Sequence, residues 1–172
     1  MSTKITLSQV NAMSPQEFAA VFGRVFEHSP WIAERAFVHK PFVDARQLHA
    51  AMVAVVRGAT HHEQLALLRA HPELAGREAQ TDTLTPESTS EQQGAGLNAL
   101  AKDEMARISA WNKAHAERFG FPFIIAARMN NKASIFSEFE RRLTLSAGDE
   151  QAACLEQVYL ITQIRIGDLI DA

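Results

Sequence analysis

The chain is poor in cysteine, with Cys154 alone among 172 residues. A lone cysteine excludes an intrachain disulfide and fits a reducing compartment. Long hydrophobic runs are missing as well. Nowhere do about 18 apolar residues follow one another, so no membrane span is predicted. The opening MSTKITLSQVNAM lacks the apolar core of a signal peptide. The closing Ile170-Asp171-Ala172 is not a peroxisomal address. A cytoplasmic protein is the expectation. Neither sign of charge dominates: 17 Lys and Arg against 20 Asp and Glu leave a net charge of −3. The charges are interspersed and form no basic stripe, which argues against nucleic acid as a partner. There is no glycine-rich phosphate loop, no Gly-x-Ser-x-Gly elbow, no repeat and no low-complexity tract. The seven histidines do not fall at metal-ligand spacings. His62-Glu63 is followed by Gln64-Leu65-Ala66, so the second histidine of a zinc-binding helix is missing. His28, His39, His49 and His115 share no ligand spacing, and Cys154 has no nearby histidine in sequence. Neither a metal nor a cofactor is predicted, and Cys154 reads as inert core.

What is present is helix. At 47% apolar residues the chain is long enough and greasy enough to fold as a single domain over residues 1–172. Ser14-Pro15-x-Glu17 combines an N-cap, a proline at the first helical position and a reciprocal glutamate. Phe18, Phe22 and Val25 follow at helical spacing. Pro30-Trp31 opens a second helix that Lys40-Pro41 stops. Asp44 caps a third, with Leu48, Met52 and Val55 inward, ending near Gly58. Thr60 and Glu63 form a capping box for a fourth, with Leu65 and Leu68 on its stripe, which Pro72 ends at His71. Residues 75–87 show no apolar period and predict a long polar loop. A long helix is expected after Ser88, reaching about Arg118, with Leu97, Leu100, Ile108 and Trp111 on its buried side. Gly94 and Gly96 near its start suggest close approach of a backbone or a ligand. Phe121 to Ala127 is the most apolar run. With no partner strand in view it reads as a buried irregular connector or helix entry. A helix from about Lys132 to Leu143, a turn at Ser146-Ala147-Gly148-Asp149 and a last helix running to about Leu169 complete an all-α bundle of about eight helices.

Chemistry concentrates between Thr60 and Gln92. His71 falls at a helix C-terminus, where the helix dipole favours the protonated ring by roughly 0.3–1 kcal/mol and an imidazole can exchange protons near neutral pH. The same placement also suits a histidine that only caps the last carbonyls. Ser88, Glu91 and Gln92 share one helix face at i, i+3 and i+4. They are either a capping box or a hydroxyl, a carboxylate and an amide converging on a ligand. Arg165 lies on a largely uncharged face of an apolar helix, where it must snorkel outward or meet an anion. Spacing leaves each pair of readings open.

The motifs Leu68-Arg69-Ala70-His71-Pro72-Glu73-Leu74-Ala75-Gly76, Leu84-Thr85-Pro86-Glu87-Ser88 and Glu91-Gln92-x-Gly94-Ala95-Gly96-Leu97 occur in this order. Asn112, Phe119-Gly120-Phe121-Pro122-Phe123 and Ala127-Arg128-Met129-Asn130 follow. Together they resemble the 2-oxo-4-hydroxy-4-carboxy-5-ureidoimidazoline (OHCU) decarboxylase family, from about Ser14 to about Asp168. The resemblance implies a catalytic pair, His71 and Glu91. It implies substrate contacts from Pro72, Ser88, Gln92, the segment Phe123, Ile124, Ile125, Ala126 and Ala127, and Arg165.

The implied activity is cofactor-independent decarboxylation of OHCU to S-allantoin, the last step of urate breakdown, by a homodimer. The partner would be a small anionic ureidoimidazoline. Two other readings of the chain are a non-catalytic helical interaction module, which predicts an exposed apolar groove, and a lyase or hydrolase of a related ureide.

Overall fold

The computed structural model describes residues 3–171. Among them are ten α-helices and two 3₁₀ turns, with no strand beyond an isolated bridge between Ile5 and Ile170. The helices are α1 (Leu7–Ala12), α2 (Pro15–Phe22), α3 (Trp31–Ala36), α4 (Ala45–Arg57), α5 (His61–Arg69), α6 (Arg77–Gln80), α7 (Pro86–Gly94), α8 (Lys102–Phe119), α9 (Lys132–Arg142) and α10 (Ala147–Leu169). The 3₁₀ turns are Phe37–His39 and Ala127–Met129. The all-α expectation is met. The backbone divides into two compact units, one comprising residues up to Ala70 with those from Thr162 onward, the other His71–Ile161.

In the first unit the capping rules work as written, while the apolar faces differ in detail: Leu67 rather than Leu65 is buried beside Leu68, and Val56 rather than Val55 beside Met52. Ser14 and Thr60 each accept from the backbone N–H three residues on, while Glu17 and Glu63 reach back to the cap N–H. Thr6 and Gln9 make a third such box that starts α1, a helix the apolar periodicity does not announce. Phe18 is the hub of the core. Its ring lies 4.8 Å from that of Phe22, 5.5 Å from Phe37 and 6.2 Å from Phe42. Asn11 mimics a backbone neighbour for Phe42, donating to its carbonyl and accepting from its N–H, both at 2.8 Å.

The second unit departs from expectation in several places, one being that α10 begins at Ala147, inside the stretch expected as a turn. Residues 75–87 are not all loop, because α6 forms inside them. The helix expected after Ser88 starts earlier and ends sooner. Its N-cap is Thr85, whose hydroxyl accepts from Ser88 N–H, with Pro86 just inside. Ser88 is therefore a residue of the first turn rather than the cap. Helix α7 then stops where Gly96 takes φ +80°, with Leu97 N–H returning to Gln92 O. A Cβ added at Gly94 or Gly96 would meet nothing within 4 Å. Close approach of another backbone is therefore not why these glycines are there, and at Gly96 the left-handed turn is a reason of its own. Helix α8 starts afresh at Lys102, with Glu104 Oε1 accepting from Ala101 N–H at 3.0 Å.

The run Phe121 to Ala127 is a buried connector without regular structure until the 3₁₀ turn at its end. Buried peptide groups outside helix or sheet must still find partners, and here side chains supply them. Arg142 Nη1 donates to Ile124 O at 2.6 Å. His115 Nδ1 lies 2.9 Å from Phe121 O. Ala126 N–H donates to Gln157 Oε1, and Ala126 O accepts from Asn130 Nδ2, both at 2.9 Å.

Arg142 is itself held by Glu150. Its Nε lies 3.0 Å from Oε2 and its Nη2 2.6 Å from Oε1. The guanidinium stacks 4.1 Å from the Phe123 ring centroid. Both residues of the pair are essentially inaccessible to solvent. Burial pushes the Glu150 carboxyl up, but hydrogen bonds from His115 and Arg142 and the Arg142 charge outweigh it and hold the group below its ordinary value of 4.5.

Removing one partner of such a pair strands the other. Glu150→Gln is expected to lose about 3–5 kcal/mol of stability, measured by denaturant unfolding. The pKa is lower folded than unfolded. The carboxylate's contribution is therefore complete above the unfolded value and disappears as pH falls through the folded one. The stability gap between wild type and Glu150→Gln should accordingly narrow on acidification below about pH 4.5.

Candidate active site

His71 lies two residues beyond the end of α5, and 9% of its surface is exposed. Pro72 beside it is half-buried. The chain then turns sharply. Ala75 adopts φ +48°, rare for a residue with a side chain. Gly76 N–H bonds Glu73 O at 3.2 Å. A Cβ on Gly76 would sit 2.6 Å from Glu73 Cβ, so no larger residue fits there without rearrangement. Burial, with Glu78 adding to it, pushes the Glu73 carboxyl up.

Helix α7 presents Ser88 and Gln92 as buried polar residues, 5% and 6% exposed, with Glu91 half-buried. This helix packs against the 3₁₀ turn that ends the Phe123–Ala127 connector. Leu74, Ala75, Ala95, Leu97, Phe123, Ile125 and Ala127 belong to one apolar core. Three stretches far apart in sequence, the turn after His71, α7 and the connector, are thus drawn together within the second unit. Gln92 Oε1 accepts from Ala75 N–H at 2.9 Å, which ties two of them directly. A cavity of about 310 Å³ is lined by Ala75, Leu84, Thr89, Gln92, Leu97 and Met105 among others. A second, of about 280 Å³, is lined by Glu73, Ala75, Gly76, Arg77, Ser109 and Asn112 with Gln80 and Thr81. The linings of these two include neither His71 nor the connector.

Arg165 belongs to the first unit. It is 5% exposed, and the anion it meets there is a protein carboxylate. Nη1 lies 2.8 Å from Glu27 Oε2 and 3.1 Å from Val25 O. The sequence poses the choice between snorkelling and meeting an anion. Glu27, 138 positions away, is the part of the answer that no local pattern supplies.

Other residues to which the sequence assigns no role sit around the site. Arg142, His115, Gln157 and Asn130 hold the connector, and Asn112 Nδ2 donates to Leu74 O at 2.9 Å. A signal for some of them was present. Ile108, Asn112 and His115 follow one face of α8 at i, i+4 and i+7, and Ile135, Phe139 and Arg142 follow one face of α9. A polar residue on an otherwise apolar stripe marks a buried hydrogen-bonding job.

His115, Glu150 and Cys154 converge to within 4.8 Å, a grouping that no ligand spacing reveals. The Arg142 guanidinium already supplies positive charge there, with Nη2 3.0 Å from the Cys154 sulfur. Burial pushes the thiol up to about 12, more than the Arg142 charge lowers it, so it stays protonated and a poor ligand. The large apolar side chains exposed among the described residues are Val38, Val43 and Met129. Scattered single side chains of this kind are ordinary surface rather than a docking groove.

The Arg165–Glu27 pair carries a stability consequence. Arg165→Met alone leaves a buried carboxylate without this guanidinium and is expected to cost about 3–5 kcal/mol. The double variant Glu27→Gln/Arg165→Met should recover much of that loss. A double-mutant cycle by chemical denaturation measures the coupling, and additive single effects would show the pair to be energetically idle.

Comparison with known proteins follows the same residues. The family model described as OHCU decarboxylase matches residues 11–167. The 2-oxo-4-hydroxy-4-carboxy-5-ureidoimidazoline decarboxylase of Haloferax volcanii is 38% identical over 165 residues, covering 96% of each chain. The protein of the same name from Amia calva is 38% identical over 164 residues, covering 95% of this chain and 94% of its own. Among solved structures, an (S)-allantoin synthase matches with a TM-score of 0.79 at 27% identity, over 97% of this chain and 55% of that one. The present chain thus spans about half the length of that protein. On these grounds the chain belongs to the OHCU decarboxylase family.

Proposed function

We propose that the protein removes the C4 carboxylate of OHCU as carbon dioxide and delivers (S)-allantoin. Family membership sets the reaction. The observation that carries its assignment to this site is the packing of α7, with buried Ser88 and Gln92, against the turn that ends the connector. A small polar ring needs such a place, with an apolar wall, fixed backbone groups and a few buried hydrogen-bonding side chains.

The chemistry asks little of a cofactor. When the bond from C4 to the carboxylate breaks, its electron pair passes into the neighbouring C=N system of the ring. The ring nitrogen that receives this pair takes up one proton, and a second reaches the ureido-bearing carbon from one face as the C4 hydroxyl gives up its own and becomes the carbonyl. The protein has to hold the ring still, manage protons and stabilise charge away from water. His71 moves the proton, and Glu91 orients the imidazole and keeps it in one tautomer. Pro72 packs beside the ring. Ser88, Gln92 and the backbone from Phe123 through Ile124, Ile125 and Ala126 to Ala127 read the ring and ureido groups. Gln92 Oε1 is committed to Ala75 N–H, so the donor end of this amide meets a substrate oxygen. Arg165, charged at every working pH, favours the anionic substrate. The protein works in the cytoplasm as a homodimer.

Freshly generated OHCU mixed with the protein tests the reaction, followed by absorbance and optical rotation. Rapid formation of optically pure (S)-allantoin is expected, unchanged after exhaustive chelation. Racemic product at the uncatalysed rate would overturn the assignment. Activity lost on chelation and restored by zinc would overturn the cofactor-free chemistry.

A further inference from the structure

We propose that Asn112 is a positioning residue for the decarboxylation, acting with Gln92 to clamp the Leu74–Ala75 peptide and so fix the turn that carries His71. The inference rests on the reading of His71 as the proton-transfer residue. One peptide group is gripped from both ends. Its carbonyl, on Leu74, accepts from Asn112 Nδ2 at 2.9 Å, and its N–H, on Ala75, donates to Gln92 Oε1 at 2.9 Å. The two amides come from different helices, α8 and α7. Neither can be flipped without loss, because a backbone carbonyl demands a donor and a backbone N–H demands an acceptor.

The gripped peptide sits where the backbone is least comfortable. Ala75 holds φ +48°, a conformation that survives only when its surroundings over-determine it. Its own carbonyl is taken as well, by Gln80 Nε2 at 3.2 Å. Three side-chain amides therefore fix the peptide units on either side of Ala75, four residues after His71. Proton transfer depends steeply on geometry, and this turn directly follows His71 within the second unit.

Asn112 is only half satisfied where it sits. The residue is 4% exposed on the buried stripe of α8, and its Oδ1 is buried with no hydrogen-bond partner among the described residues. An orphaned buried acceptor costs at least as much as one neutral hydrogen bond contributes. An apolar residue would remove that cost but leave the buried Leu74 carbonyl without this donor. The amide is explained by the carbonyl it holds.

The test compares Asn112→Ala and the near-isosteric Asn112→Asp, which cannot donate when ionised, with Ile135→Val and Ile135→Ala. The latter pair lower the melting temperature from within the same core without touching the clamp. Positioning predicts that both Asn112 variants lose about ten-fold or more in kcat, as small misplacements of reacting groups do. KM should stay within about three-fold, and the Ile135 variants should keep their kcat at matched loss of melting temperature. Hydrogen exchange gives a second readout independent of turnover. The Ala75 amide should lose protection in the Asn112 variants while amides of α9 keep theirs. If Asn112→Ala does not fold, the same comparison is made with Asn112→Asp.

Unchanged kcat, or a loss no greater than in the Ile135 variants at equal melting temperature, would overturn the proposal. His71→Ala is run alongside. Full activity in that variant removes the reading on which the proposal rests. An inactive His71→Ala beside a fully active Asn112→Ala would remove the positioning role alone.

Discussion

The buried ion pair of Arg142 and Glu150 is the interaction on which the second unit depends. An apolar connector runs through the interior from Phe121 to Ala127 with neither helix nor sheet to satisfy it. Its peptide groups would each cost roughly 1–3 kcal/mol if left unpaired. Arg142 answers part of that demand by donating to Ile124 O. An arginine can be buried there only because Glu150 neutralises it with a forked contact. His115 then bridges Glu150 and Phe121 O, so one carboxylate anchors two of the connector's supports. As a source of stability such a pair is unremarkable, since well-packed apolar residues often do as well. As a way to hold irregular backbone in one conformation it has no apolar substitute.

That rigidity is what links the fold to the proposed chemistry. A decarboxylation that needs no electron-sink cofactor leaves the protein with positioning and charge stabilisation, which are useful only when the groups are fixed before the reaction begins. The connector and the turn after His71 are built on the same plan. Each is backbone in a conformation no regular element provides, and each is held by side chains, most of them from neighbouring helices. Arg142, His115, Gln157 and Asn130 hold one, and Asn112, Gln92 and Gln80 hold the other.

The legible parts of the sequence were those decided within a few residues. The boxes at Ser14/Glu17 and Thr60/Glu63 act over three residues and start helices as read. The apolar spacing of Phe18 and Phe22, or of Leu48 and Met52, identified core. Local rules failed where they offered rivals. Thr85-Pro86 and Ser88-x-x-Glu91 both announce a helix start, and proline at the first helical position decided for the earlier one, because its missing N–H goes unmissed there. The rules also failed where a single dihedral angle matters. Gly96 at φ +80° ends a helix whose apolar pattern continues through Leu97 and Leu100. Four-residue α6 has too little pattern to read. The candidate site was legible through ordered motifs and their resemblance to a family. Its supports were not, since Glu27 and Arg165 or Asn112 and Leu74 meet only after folding.

A structure of the protein with (S)-allantoin bound tests the proposed site most directly. The expected result places the ring against the backbone of residues 123–127, with Ser88 and Gln92 at hydrogen-bond distance, roughly 2.6–3.2 Å. His71 should face the carbon that receives the proton, and Glu91 should contact the imidazole. Allantoin bound elsewhere, or His71 and Glu91 turned away from each other and from the ring, would contradict it.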